Sequence, residues 1–280
     1  MAENDIDSDA IKDEVDQIFG NRPKHEGPEL YQVNDQSSIK HVIGVISGKG
    51  GVGKSLVTGI LATELARKGH KVGILDADIT GPSIPKMFGL SGLHVFGQGD
   101  KIIPAQSKGG IKIMSTNLVL ENETDPVLWR GPMLMGTLKQ FYEDTLWGDI
   151  DYLRVDMPPG TGDVALTGCQ SLPIEGVVIV SSPQDLVQVI VGKAVKMAAM
   201  MNVPVLGVVE NMSYMECPEC GPKLEPFGPS HLQEIVDEFK VADLGRIPID
   251  PKVAASCDAG TFESELPEGL IPEAVSAVEA

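Results

Sequence analysis

The chain has 280 residues and a formal net charge of −18, so it is long enough to bury the core of one large or two small domains. This acidity argues against a surface for nucleic acid or for an anionic membrane, because both require clustered lysine and arginine. The N-terminus lacks a signal-peptide pattern, and no 18-residue apolar run avoids charges or strong helix breakers, which predicts a soluble cytoplasmic protein without membrane contact.

Residues 1–37 are predicted to form an acidic, partly flexible arm. Ile11, Val15, Ile18 and Phe19 lie at helical spacing within it, and glycine and proline follow them as a linker. The main domain is expected over residues 38–265, and residues 266–280 are expected to form an acidic C-terminal tail.

Beyond the arm, short apolar runs alternate with longer helical patterns. The strand-like runs cover residues 41–47, 71–76, 111–116, 152–157, 176–182, 203–210 and 244–247, and the helical patterns cover 53–68, 132–147, 163–171, 184–201 and 229–240. Runs of Val, Ile and Leu without polar alternation indicate strands that are buried on both faces. The prediction is therefore an α/β fold, a doubly wound and mostly parallel sheet with helices on both faces. Glycine pairs between residues 93 and 113 add a hairpin excursion.

One residue does not fit this pattern. Arg154 lies inside the strand-like run 152–157, where an unpaired guanidinium is costly to bury. We therefore expect it either to face a carboxylate or to lie near a surface of the sheet.

A glycine-rich segment, Gly48-Lys-Gly-Gly-Val-Gly-Lys-Ser55, follows the first predicted strand and opens the first predicted helix. The spacing G-x-x-x-x-G-K-S in this context is typical of a phosphate-binding loop, whose backbone N–H groups and helix dipole hold an anion. Lys54 can reach the β- and γ-phosphates, and the Ser55 hydroxyl can bind Mg²⁺. A plain glycine-rich turn rarely has the Lys-Ser pair at this spacing, so a nucleoside triphosphate site is favoured.

Carboxylates follow two further predicted strands. Asp76 and Asp78 come at the end of the second, and Asp156 begins the segment Asp156-Met-Pro-Pro-Gly-Thr-Gly-Asp163. Such carboxylates can hold Mg²⁺ or position water, although aspartate at a strand end is often only a turn former. Lys49 is not needed by the loop itself. It is either a solvated lysine or reaches a nucleotide on a second subunit, as an arginine finger does.

Cys217 and Cys220 are the closely spaced pair among four cysteines. Two thiolates can bind one metal centre, but Zn²⁺ or a cubane cluster needs four ligands, which a symmetric dimer would supply by repeating the pair. His231 is a candidate third ligand, although a lone histidine at a helix start is more often structural. Met212 and Met215 flank the pair and can line a client or dimer contact. The spacing alone leaves iron–sulfur, zinc and redox dithiol uses open.

Two resemblances to known families follow from these segments. The glycine-rich loop is similar to the deviant Walker A motif of the MinD/ParA-type ATPases, whose signature lysine matches Lys49. More narrowly, residues 76–85, 129–132, 156–163, 209–213 and 217–220 resemble segments of the Mrp/ApbC family of iron–sulfur cluster carrier ATPases. The similarity extends over residues 38–262.

The resemblance implies a homodimer that slowly hydrolyses ATP with Mg²⁺, binds a [4Fe–4S] cluster across its subunits and transfers it to apo-proteins. By family similarity Lys49, Lys54 and Asp78 are catalytic, with Asp78 orienting the attacking water and Lys49 crossing to the partner. Nucleotide binding is assigned to Gly48, Gly50, Gly51, Val52, Gly53, Lys54, Ser55, Leu56 and Asn211, the last contacting adenine. Ser55, Asp76 and Asp156 are assigned to Mg²⁺. Cys217 and Cys220, in an insertion at residues 212–228, are assigned to the cluster.

Two other classes of protein stay open. A spatial-organising ATPase of the MinD/ParA kind would need a membrane helix or a basic DNA-binding surface, and the acidic residues 268–280 supply neither. A redox or zinc regulatory protein would use the dithiol as its sensor.

Overall fold

The computed structural model describes residues 29–79, 81, 83–120, 131–160, 162, 165, 168, 170–184, 187–217 and 219–280. The helix predicted within residues 11–19 lies outside this part of the chain, as does most of the helix predicted over residues 163–171. Among the described residues, none of the helices has both the length and the apolarity needed to cross a bilayer.

The strands follow the predicted order. They are β1 (Ser38–Ser47), β2 (Val72–Asp76), β3 (Gly97–Gln98), β4 (Lys101–Ile102), β5 (Ala105–Gln106), β6 (Lys112–Met114), β7 (Asp149–Asp156), β8 (Gly176–Ser181), β9 (Val205–Glu210), β10 (Met215–Glu216), β11 (Lys223–Leu224) and β12 (Asp243–Arg246). One sheet has the order β12-β9-β8-β1-β7-β2-β6-β5, with every pair parallel except β5–β6. The predicted mostly parallel sheet is confirmed, and β3–β4 is a hairpin within the predicted excursion.

Helices cover both faces of the sheet. They are α1 (Lys54–Arg67), α2 (Ile84–Met87), α3 (Gly131–Glu143), α4 (Val187–Met200), α5 (Leu232–Phe239), α6 (Pro251–Ala259), α7 (Phe262–Glu265) and α8 (Pro272–Glu279). Apolar residues of α1, α6 and α8 share one core with Val45 and Ile74. Those of α3, α4 and α5 share the other core with Ile46 and Leu75. Neighbouring residues of one strand thus face opposite cores, which is why these strands are apolar throughout.

The parallel register places the chemistry-bearing strand ends at one edge of the sheet. β1 ends at Ser47, directly before the glycine-rich loop. Asp76, the last residue of β2, pairs with Asp156, the last residue of β7, and Asp156 also pairs with Val45 of β1. The two carboxylates are therefore neighbours beside the loop, at the carboxyl ends of the strands where open α/β sheets bind their ligands.

Arg154 contradicts both of its predicted placements. Its side chain is fully buried in the middle of the sheet, where its strand neighbours in register are Ile43 and Ile74. None of its guanidinium nitrogens has a hydrogen-bond partner among the described residues, and its Cζ lies 5.1 Å from the centre of the Tyr152 ring. An aromatic face attracts a cation, so the ring is the direct contact of the guanidinium, and the carboxylate of Glu175 acts on it only through its charge. Burial lowers the pKa of Arg154 to about 9.

The segment expected to be an acidic tail instead belongs to the core. Within it α8 contacts β12, α1 and β9, and buries Ala274, Val275 and Val278. Ile271, just before α8, is fully buried as well. These residues have the i, i+3, i+4, i+7 spacing of an amphipathic helix, so the acidic residues occupy its other face.

Candidate functional site

The glycine-rich loop, residues 48–55, connects β1 to α1 and needs its glycines for close packing. Gly53 has a φ of 86°, and a Cβ atom there would lie 2.0 Å from Asn211 Nδ2. Gly48 packs against α4, where a Cβ atom would lie 2.2 Å from Ile190 Cγ2. The backbone of the loop is thus held from two sides by other segments.

A cavity of about 480 Å³ borders the loop, and we call it the phosphate cavity. The residues predicted to bind nucleotide that line it are Gly50, Gly51, Gly53, Lys54, Ser55 and Leu56, and the predicted catalytic Asp78 joins them. The other three, Gly48, Val52 and Asn211, do not line it. Gly48 contacts α4, and the carbonyl oxygen of Val52 accepts a hydrogen bond from Asn211 Nδ2 at 2.9 Å.

Asp156 is the centre of a buried hydrogen-bond network beneath the loop. Lys54 Nζ lies 2.7 Å from Asp156 Oδ1, and Ser55 Oγ donates to Oδ2 at 2.5 Å. Thr58 Oγ1 donates to Oδ1 at 3.0 Å. Lys54 Nζ also lies 3.6 Å from Asp78 Oδ2, although Lys54 is only 5% exposed. One buried lysine therefore serves two carboxylates at the base of the phosphate cavity.

Asp76 is fully buried beside Asp156 and accepts hydrogen bonds from Ser115 Oγ at 3.0 Å and from the Asp78 backbone N–H at 3.2 Å. Burial and then the charge of Asp156 raise the pKa of the Asp76 carboxyl well above its usual value. A second carboxylate charge is therefore costly here, and a bound divalent cation would remove that cost. Together with the Ser55 hydroxyl, these carboxylates are hard oxygen donors of the kind that Mg²⁺ prefers, so the residues fit the ion.

The Lys49 side chain is hydrogen-bonded to a residue of its own chain. Its Nζ donates to Gln184 Oε1, and its carbonyl oxygen accepts a hydrogen bond from Ser47 Oγ at 3.0 Å. Gln184 lies shortly after β8, so the lysine is held at the side of the loop where that strand ends. That Lys49 reaches a nucleotide on a second subunit stays a prediction.

An apolar cavity of about 270 Å³ adjoins the phosphate cavity, because Leu56 and Cys257 line both. Its other walls include Met212, Ile247 and Ile249, and Asn211 lines it as well. A polar cavity at a phosphate loop, joined to an apolar one of this size, suits the phosphates and the base of one nucleotide.

Cys217 and Cys220 lie on the hairpin formed by β10 and β11, and the former is half-buried and the latter exposed. The Cys220 thiol donates to Cys217 Sγ at 3.3 Å, so the two sulfur atoms are already adjacent. Hydrogen bonds from backbone N–H groups, that of Glu219 first, lower the pKa of Cys217. The pKa of Cys220 is raised by the hydrogen bond that its thiol makes to Cys217. The pair therefore offers one thiol with increased thiolate character, the form that binds metal.

Within the described part of one chain, no group of three or more His, Cys, Asp or Glu side chains is arranged to hold a metal ion. His231, the candidate third ligand, lies 3.3 Å from Glu234 through its Nδ1 at the start of α5. Cys257 lines the two cavities instead, and burial raises the pKa of its thiol. A four-ligand centre at Cys217 and Cys220 would therefore take its other two ligands from outside the described part of this chain.

Sequence reasoning missed three polar residues of the site. Thr58 lies one helical turn after Lys54, and this i, i+4 spacing is a signal that would have revealed it. Ser115 directly follows β6 at the same sheet edge as Asp76, which is a weaker signal of the same kind. Gln184 has no sequence signal, because its contact with Lys49 joins segments 135 residues apart.

Comparisons with known proteins agree with this geometry. A ParA family model, described as NUBPL iron-transfer P-loop NTPase, matches residues 38–278. The iron-sulfur cluster carrier protein of Clostridium perfringens is 51% identical over 238 residues, which are 82% of this chain and 84% of that protein. The protein of the same name from Methanocaldococcus jannaschii is 46% identical over 227 residues, 81% and 78% of the two chains.

Solved structures show the same architecture. A nucleotide-binding protein from Archaeoglobus fulgidus, in complex with ADP, is 38% identical and superposes with a TM-score of 0.74 over 95% of this chain and 97% of its own. The MinD cell division protein of Aquifex aeolicus is 21% identical with a TM-score of 0.57, over 85% and 94% of the chains, and this likeness supports the fold alone.

Proposed function

The chain belongs to the ParA family of NUBPL-type iron-transfer P-loop NTPases, and we propose that it is an ATP-hydrolysing iron–sulfur cluster carrier. In this proposal a homodimer binds a [4Fe–4S] cluster and transfers it to apo-proteins. One observation carries the proposal: a phosphate-loop cavity joined to an apolar cavity, and a pair of thiols in contact with each other, occur in the same chain. The names of its relatives support an iron–sulfur cluster as the cargo, and the ADP bound to the Archaeoglobus protein supports an adenine nucleotide as the ligand of the cavities.

ATP hydrolysis is assigned to the phosphate cavity. The backbone N–H groups of the loop and Lys54 would bind the β- and γ-phosphates. Ser55, Asp76 and Asp156 are the residues that would hold Mg²⁺, which neutralises phosphate charge when bound. Asp78 lines the cavity 3.6 Å from Lys54, where its carboxylate can orient the attacking water.

The apolar cavity is proposed to hold adenine. Its aliphatic walls suit the flat ring of the base, and the amide of Asn211, which also lines the cavity, can hydrogen-bond to a ring nitrogen. Leu56, which both cavities share, would lie between the base and the phosphates.

Dimerisation is proposed on two separate grounds. Lys49 matches the signature lysine of the MinD/ParA-type loop and would exchange Gln184 for the partner's nucleotide, as an arginine finger acts in trans. Cys217 and Cys220 supply half of the four ligands that a cubane cluster needs, and an isologous dimer repeats each residue. Both grounds require the same assembly.

Anaerobic reconstitution of the full chain with iron and sulfide tests the cargo. The expected result is about four irons per dimer, measured by iron analysis and light scattering, with a cluster absorption band. Cys217→Ser is expected to lose the cluster, whereas the matched Cys257→Ser keeps it because that thiol lies at the cavities. Binding of zinc alone, without a cluster band, would support the zinc or redox sensor instead.

A further inference from the structure

A short stretch of chain, residues 210–217, joins the nucleotide cavities to the cysteine pair, and we call it the linking segment. It begins at the last residue of β9 and ends at Cys217. Near its start, Asn211 Nδ2 donates to the Val52 carbonyl oxygen of the phosphate loop at 2.9 Å. The Asn211 backbone N–H donates to the Ser181 carbonyl oxygen at 2.9 Å. The linking segment is therefore bonded directly to the loop that is proposed to hold phosphate.

The middle of the linking segment is bonded to the walls of the apolar cavity. Ser213 donates through its N–H to the Ile247 carbonyl oxygen at 3.0 Å and through its Oγ to Glu210 Oε1 at 2.6 Å. The Ile249 N–H donates to the Tyr214 carbonyl oxygen at 2.6 Å. Since Ile247 and Ile249 both line the cavity, a change in its walls acts on the segment that leads to the cysteines.

Met212 lies between these anchors in a strained conformation. Its φ is 57°, in the left-handed region that side chains other than glycine rarely adopt. Such a conformation persists only where the surroundings hold it, and here the hydrogen bonds of Asn211 and Ser213 do so on either side. The Met212 side chain also lines the apolar cavity. A ligand in that cavity therefore touches the strained residue of the linking segment.

We propose that Met212 is a positioning residue that transmits nucleotide binding to the Cys217–Cys220 pair within one subunit. The inference rests on the proposed function, because it takes the occupant of the apolar cavity to be the base of a nucleotide. A base in the apolar cavity lies against Met212 and also against Ile247 and Ile249, the two wall residues to which the linking segment is hydrogen-bonded, and it restricts the movement of all three. The hairpin that carries the cysteines then opens less often, so their thiols react more slowly.

The test measures the reactivity of these two thiols in the full-length, reduced chain, with no metal or cluster bound to them. Alkylation by N-ethylmaleimide is followed by mass spectrometry of the peptide that carries them, with and without saturating Mg²⁺–ADP. In the wild-type chain ADP is expected to slow labelling about fivefold, at the low end of coupling between two sites. In Met212→Gly, which adopts a positive φ without strain and has no side chain in the cavity, the effect of ADP should fall below about twofold.

Two variants make the test specific. Lys240→Gly relieves the same strain, a φ of 54°, at the end of α5 and should keep the full effect of ADP. Ser213→Ala removes the hydrogen bond to Glu210 without changing a residue that lines the cavity, and should lose the effect as Met212→Gly does. ADP affinity is measured for each variant by calorimetry, so that every comparison is made at saturation. If Met212→Gly fails to fold or to bind ADP, Ser213→Ala decides.

Three results are distinguishable. Loss of the ADP effect in Met212→Gly, or in Ser213→Ala where Met212→Gly fails to fold or to bind ADP, supports the inference if Lys240→Gly retains the effect. An ADP effect that is absent from the wild-type chain although ADP binds, or that is equal in all four proteins, overturns it and leaves the proposed function intact. A wild-type chain that binds no ADP contradicts the proposed function itself, and the inference with it.

Discussion

The Lys54 ammonium lies 2.7 Å from the Asp156 carboxylate, and both groups are buried. The contact joins the start of α1 to the end of β7, so it holds the phosphate loop against the sheet. Removing one partner of such a pair leaves an uncompensated buried charge, which typically costs about 3–5 kcal/mol of stability. The same two residues are proposed to bind the nucleotide and Mg²⁺, so folding and nucleotide binding depend on one contact.

Asp156→Asn is expected to weaken Mg²⁺–ADP binding by about 10- to 100-fold, because it keeps the shape of the side chain but removes a proposed metal ligand. Thermal unfolding should also occur at a lower temperature, since Lys54 loses the charge that faces it. Calorimetry and a melting curve measure the two effects. The matched control is Asp151→Asn, whose carboxylate pairs with exposed Lys40 at 2.7 Å and should change little. Unchanged Mg²⁺–ADP affinity in Asp156→Asn would exclude the metal role.

Lys49→Ala is expected to lower the rate of ATP hydrolysis about 10³-fold, as loss of an arginine finger does, while ADP affinity stays within about twofold. The reason is that Lys49 is proposed to act on the nucleotide of the partner subunit. Phosphate release and calorimetry are the measurements. Gln184→Ala, which removes the partner of Lys49 within the chain but keeps the ammonium, is the control and should still hydrolyse ATP. Wild-type turnover by Lys49→Ala would make this residue a solvated loop lysine.

Arg154→Met is expected to stabilise the fold by about 1–4 kcal/mol, because an apolar side chain of similar length replaces a buried charge without hydrogen bonds. Urea unfolding at pH 7 measures the change. Arg154→Lys, which keeps a buried cation, should bring no gain. A loss of stability in Arg154→Met would show that the contact with the Tyr152 ring outweighs the cost of burial.

The pH dependence of that gain follows from the pKa of Arg154, which burial lowers from its ordinary, much higher value to about 9. Below pH 9 the guanidinium is charged in both the folded and the unfolded chain, so the full cost of burial remains. Between the two pKa values the unfolded chain binds more protons than the folded chain, so stability rises with pH. The advantage of Arg154→Met should therefore shrink by about 1 kcal/mol between pH 7 and pH 10. An advantage that stays constant over this range would contradict the assignment.

Ile271→Ala is expected to destabilise the chain by about 2–5 kcal/mol, because Ile271 is fully buried and its removal leaves a cavity beside α8. Chemical denaturation measures the loss. Glu268→Ala, an exposed change three residues earlier, is the control and should be nearly neutral. A neutral result for both would mean that residues 266–280 behave as a tail.

Most of the fold was predictable because buried parallel strands are continuous apolar runs, which mark their own positions in the sequence. The loop and the carboxylates Asp76 and Asp156 were predictable for the same reason, since each directly follows such a run. Side-chain contacts between segments that are distant in the sequence were not predictable. Gln184 beside Lys49, and the apolar cavity between α1 and α6, depend on how the helices pack.

Two errors had identifiable causes. The helix α8 has the apolar spacing of an amphipathic helix, but Glu268, Glu273 and Glu279, with no basic residue among them, made residues 266–280 resemble a solvated tail. For Arg154, the usual cost of burying a guanidinium predicts a carboxylate beside it. The aromatic face of Tyr152 is the direct contact instead, because its position two residues earlier on the same strand places both side chains on one face.

Cluster transfer by Lys54→Ala tests most directly whether the nucleotide site and the cysteine pair work as one system. The reconstituted full chain is mixed with an apo iron–sulfur acceptor, and transfer is followed by the acceptor's activity with and without ATP, after calorimetry has shown that Lys54→Ala does not bind ATP. If the two sites are coupled, ATP changes the transfer rate of the wild-type carrier, whereas Lys54→Ala transfers the cluster more slowly and at a rate that ATP does not change. Equal transfer by both proteins under both conditions would contradict this coupling.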